Sequence, residues 1–137
     1  MDAFTFLRER VSLFDGVPNE HLVTLATSSS IGSFNKGQTI LFKGATVDAL
    51  HVVAVGSASV WVKTAAKGLA QVAELGSGEV FGETSIMEMG TAGATIKAAA
   101  DGTIVLIIPQ ESFRQLLADS PDFGGRVQSL IASRKAA

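Results

Sequence analysis

Between residues 31 and 109 the chain is cut into short runs by glycine, at Gly32, Gly37, Gly44, Gly56, Gly68, Gly76, Gly78, Gly82, Gly90, Gly93 and Gly102. Helices of ordinary length do not survive punctuation this dense, because each internal glycine costs about 1 kcal/mol relative to alanine. Extended runs joined by tight turns do survive it, since glycine supplies the positive φ that many such turns require. The runs left between glycines are 38–42, 49–55, 57–63, 70–75, 94–100 and 103–108, and they read with period two. In 57–63, Ala58, Val60 and Val62 share one face while Ser57, Ser59, Trp61 and Lys63 share the other. That is the pattern of a half-buried strand. Many short strands with closely spaced turns predict a mainly β fold over about 31–109, a barrel, sandwich or jelly roll.

Helical patterns flank this unit, over about 3–29 and about 110–135. Phe4, Leu7, Val11 and Phe14 fall on one helical face before Asp15-Gly16 interrupts it. Pro18 suits a helix start, and Leu22, Leu25 and Ala26 repeat at helical spacing until Ser28-Ser29-Ser30. Near the end, Phe113, Leu116 and Leu117 form one apolar face. Ser120-Pro121 then opens a last helix with serine as its cap. Phe123, Val127, Leu130 and Ile131 line that helix, Gly124-Gly125 interrupt it as a candidate hinge, and Arg134-Lys135 place cations at its C-terminus. Its apolar face suits packing on the β unit, a homodimer seam or a cap over a bound ring.

Composition narrows the function. The 137 residues predict one domain over 1–137, given about 100–200 residues per domain. With 11 basic and 13 acidic side chains, a net charge of −2 and no basic cluster, the chain is not expected to grip nucleic acid. Zero cysteines exclude disulfide scaffolds, zinc–cysteine sites and cysteine-held iron–sulfur clusters. No run approaches the roughly 18 apolar residues of a membrane span, and the start at Met1-Asp2 has no apolar leader. A cytoplasmic protein without a membrane partner is expected. No Ser-His-Asp order or phosphate-binding lysine loop is present, and His21 and His51 lie far apart. Neither an enzyme nor a metal site is therefore expected.

The remaining informative segment is Gly78-Glu79-Val80-Phe81-Gly82-Glu83-Thr84-Ser85-Ile86-Met87. Gly82 would let the backbone approach a ligand closely. Glu83 to Met87 suits a short helical turn whose free amides favour an anion. On the residues alone, Glu83 reads first as a surface or capping carboxylate, and Thr84 and Ser85 as caps.

In this setting the chain resembles the cyclic nucleotide-binding domain of catabolite activator proteins, kinase regulatory subunits and cyclic-nucleotide-gated channels. The resemblance runs over about residues 10–131. It is carried by Lys36-Gly37-Gln38-Thr39-Ile40 with Lys43-Gly44, by Leu50-His51-Val52-Val53 with Gly56, by Gly78-Glu79 and Phe81-Gly82-Glu83, by Ala94-Thr95-Ile96-Lys97-Ala98, and by the run from Val105 to Leu117. It implies a mainly β fold, a double-stranded β-helix or jelly roll of the β-roll type flanked by N- and C-terminal helices, with a phosphate-binding cassette. Backbone amides near Gly82 and Glu83 would meet the cyclic phosphate, the Glu83 carboxylate would accept from the ribose hydroxyl, and the last helix would move as a lid. The ligand-facing residues would be Gly82, Glu83, Thr84, Ser85, Ala92, Gly93, Ala94 and Thr95, with cAMP or cGMP as ligand.

One departure is plain. The family's Pro-Arg pair falls on Thr91-Ala92, and no Lys or Arg stands between Glu83 and Lys97. Loss of that charged contact weakens phosphate binding by about ten- to a hundred-fold, and Glu79, Glu83 and Glu88 in the same segment would repel an anion. Two readings follow. One is a stand-alone regulatory module that senses a cyclic nucleotide or related small anion and passes the change to a partner protein. The other is an interaction module that keeps the fold without the nucleotide.

Overall fold

The structure, a computed structural model, describes residues 2–136. Met1 and Ala137, the outer bounds of the expected domain, lie outside them. Helix α1 (Ala3–Arg10) starts at Asp2, whose carboxylate accepts from the Thr5 amide at 2.7 Å. It stops at Val11, which is extended, and a 3₁₀ turn over Ser12–Phe14 follows. The apolar face from Phe4 to Phe14 is thus divided between two elements. The bend lets Leu13 and Phe14 both turn inward. Helix α2 (Asn19–Ser28) follows Pro18.

Among the described residues, eight strands then build two four-stranded antiparallel sheets. They are β1 (Ser30–Phe34), β2 (Thr39–Leu41), β3 (Ala49–Val55), β4 (Ala58–Thr64), β5 (Gly68–Leu75), β6 (Val80–Phe81), β7 (Thr95–Ala98) and β8 (Thr103–Pro109). One sheet has the order β1-β8-β3-β6 and the other β2-β7-β4-β5. This is the β-roll expected from the sequence, with helices at both ends. Strands β1 and β6 were not among the period-two runs. Strand β1 carries two serines and Gly32 among its five residues, and β6 spans two residues, too little for a pattern.

Alternation assigns the two faces of the first sheet to two cores. Leu50 and Val52 of β3, Val80 of β6, and Leu106 and Ile108 of β8 meet the helices. Val53, Phe81 and Val105, from the same strands, turn into the roll against Ala58, Leu75 and Ile96. Both faces of β3 are therefore buried, which is why it reads as a near-continuous apolar run.

Helices α3 (Gln110–Asp119) and α4 (Pro121–Ala136) close the helical layer. The Ser120 hydroxyl accepts from the Phe123 amide, so the expected cap is present. Phe123 stacks on Phe14 at 5.5 Å between centroids and meets Phe113 edge-on at 5.8 Å. Phe123 and Val127 are fully buried in this cluster. Of the three roles open to that helix face, these two residues take packing on the chain's own body.

Candidate functional site

The site begins where β6 ends. Gly82 has φ +97°, and a Cβ there would lie 3.1 Å from the Ala49 carbonyl oxygen. A close approach that demands glycine is thus already present, to strand β3 behind the loop. His51 of β3 supports the same elbow. It is buried, stacks on Phe81 with centroids 4.8 Å apart, and its Nδ1 has no hydrogen-bond partner. Burial disfavours the imidazolium and holds the His51 pKa below its ordinary 6.5, outweighing the Ala49 backbone and the Asp48 carboxylate, which pull the other way.

Beyond the elbow the chain makes helical turns, wound as a π-helix over Ser85–Met89 and closed by Gly90 at φ +72°. Glu83 stands at their start and is 1% exposed. Its Oε1 accepts from Arg134 Nη1 at 2.5 Å, while Arg134 Nη2 donates to the Val80 carbonyl at 2.6 Å. The second oxygen, Oε2, is buried without a partner. Next along α4, Lys135 pairs with Glu88. From α3, Arg114 Nη2 donates to the Ile86 carbonyl at 2.9 Å. Segment 80–88 is thus held at four points by the two C-terminal helices. The three carboxylates that would repel an anion here are all engaged, since Glu79 Oε2 accepts from the Gly76 amide at 2.6 Å.

The elbow, the π turn and the inner face of the second sheet enclose a hollow of about 370 Å³. Its walls are mostly apolar, with Leu41, Val60, Leu75, Phe81 and Ile96 among them, and Glu83, Thr84, Ser85 and Arg134 supply its polar side chains. A second, wider hollow of about 700 Å³ lies outside, between the 3₁₀ turn, residues 78–80 and α4. Arg134 borders both.

Comparison with known proteins gives this geometry a family. The family model described as "Cyclic nucleotide-binding domain" matches residues 31–120. The chain belongs to that family. Among solved structures, it is similar to the catabolite activator protein of Thermus thermophilus, with 26% identity and a TM-score of 0.77 over 90% of this chain and 58% of that one. It is also similar to the regulatory domain of Toxoplasma gondii PKA, solved with cAMP, with 22% identity and a TM-score of 0.80 over 98% of this chain and 48% of the other. A curated relative, a putative potassium channel protein of Rhodopseudomonas palustris, is 22% identical over 125 residues. That stretch is 91% of this chain but only 30% of the relative's length.

Within this cyclic nucleotide-binding domain the structure gathers Gly82, Glu83, Thr84, Ser85, Ala92, Gly93 and Ala94 around the inner hollow. Thr95 is not in its lining; its hydroxyl accepts instead from the Lys43 amide at 3.2 Å. Thr84 does not cap the turn, since its hydroxyl lies 3.4 Å from Glu83 Oε1. Lys97 points outward over the Trp61 ring, 5.1 Å from its centroid, and the Trp61 indole donates to Ser59 Oγ at 2.8 Å. Trp61 is held by local packing on the outer face. The residue that sequence reasoning missed is Arg134. Its position at a helix end had a sufficient explanation in the helix dipole, and nothing local pointed 51 residues back to Glu83.

Proposed function

We propose that this chain is a non-catalytic regulatory module that binds a cyclic nucleotide or a closely related small anion in the inner hollow and signals through its C-terminal helices. One observation carries the reading: the segment flooring the hollow is tied to α3 and α4 at Val80, Glu83, Ile86 and Glu88. A ligand that displaces this segment must strain or break those contacts, so occupancy and helix position share one set of bonds. Linkage then requires that a partner whose affinity for the helices changes on ligand binding changes the ligand's affinity by the same factor. The output goes to another protein or a neighbouring domain, and the module works in the cytoplasm.

The family match and the place of Glu83 in the lining of the hollow support a nucleotide. The lack of Lys or Arg between Glu83 and Lys97 supports the rival reading, a protein-interaction module that binds none. Titration calorimetry with cAMP and cGMP, paired with thermal melts, separates the two. Saturable heat and a raised melting midpoint are expected. Neither signal at millimolar ligand would remove the nucleotide reading and leave the rival.

A further inference from the structure

Resting on that reading of the hollow, we propose that Arg134 is the residue that takes the ligand's anionic group. It would deliver from the lid helix the charge that the loop lacks at Ala92. Among the described residues lining the hollow, Arg134 is the only basic one. Lys97 is committed to Trp61 on the other face of the sheet.

Arg134 still has donors to give. A guanidinium carries five N–H groups. Two are used, one on Glu83 Oε1 and one on the Val80 carbonyl. These contacts fix the plane of the group while 31% of the side chain stays exposed. The Glu83 carboxylate beside it has the complementary shortage, a buried Oε2 with no donor.

One ion pair therefore has two unmet needs, an anionic oxygen for Arg134 and a hydroxyl or N–H for Glu83. A ligand with an acidic group and a hydroxyl on adjacent atoms satisfies both, as a ribose cyclic phosphate does. Because Arg134 is already paired, its hold on an anion is weaker than that of a free arginine. Because it sits on α4, phosphate contact and lid contact become the same event.

The test compares the wild type with Arg134→Gln and Arg134→Lys by calorimetry, using cAMP and cGMP and their uncharged nucleosides, with circular dichroism to verify folding. Arg134→Gln is expected to weaken the cyclic nucleotides by about ten- to a hundred-fold, to leave the nucleosides nearly unchanged, and to be partly rescued by Arg134→Lys. Equal losses for charged and uncharged ligands would mean that Arg134 only holds the lid, and would overturn the proposal, as would no loss at all. If the wild type binds no cyclic nucleotide, the functional reading falls separately. The Arg134 side-chain Nε–H NMR resonance, followed during titration with inorganic phosphate, then decides: a saturable shift upholds Arg134 as the anion residue, and its absence overturns it.

Discussion

A carboxylate as deeply buried as that of Glu83 costs several kcal/mol unless it is paired, and its partner arrives from the far end of the chain. Removing that partner should be expensive. Arg134→Ala is expected to lower unfolding free energy by about 2–4 kcal/mol, at or below the usual cost of breaking a fully buried pair because the guanidinium keeps some water. Urea denaturation measures it, and adding Glu83→Gln should recover part of the loss. Gly82→Ala should cost about 2–3 kcal/mol by the same assay, from its positive φ and its contact with Ala49. His51 adds a pH dependence. Its folded-state pKa lies below 6.5, so the unfolded chain binds the proton more readily. Stability is full above pH 6.5 and declines as pH falls through the folded-state value. His51→Phe should remove that component and keep the stack on Phe81; an unchanged slope of urea midpoint against pH would refute the assignment.

At the scale of elements, legibility followed burial. Strands β3, β4 and β8 announced themselves because one or both faces are apolar at period two. Strand β1 did not, since it pairs along β8 from Ser30 to Phe34 chiefly through its backbone, which leaves no signature in side chains. The segment after Gly82 was readable as helical, but not as a π turn. Arg114 of α3 donates to the Ile86 carbonyl inside that turn, a tertiary hold that no local pattern announces. Helix α4 runs through Gly124 and Gly125, where an added Cβ would meet nothing within 4 Å. Replacing either with alanine should therefore stabilise the protein by about 0.5–1 kcal/mol through helix propensity and unfolded-state entropy. A rise in thermal midpoint checks it, and a fall would indicate that the helix needs to bend there.

At the scale of the whole molecule, the roll and its elbow could be inferred from order along the chain, whereas the site's charge balance could not. Glu79, Glu83 and Glu88 read as three repelling carboxylates in one dimension; in three, Arg134 and Lys135 neutralise two of them and a backbone amide occupies the third. Replacing Arg134 and Lys135 together with glutamine should accelerate amide exchange across residues 83–89 while β3 and β8 stay protected, as hydrogen-exchange mass spectrometry would register. The turn at 78–80 adds a mechanical corollary. A side chain at Gly78 would overlap the Arg10 carbonyl at the close of α1, and two residues on, Val80 accepts from Arg134 near the close of α4. The first and last helices thus both touch the link between β5 and β6, where the chain crosses from one sheet to the other. A substitution that displaces either terminal helix therefore bears on the short link by which one sheet passes into the other.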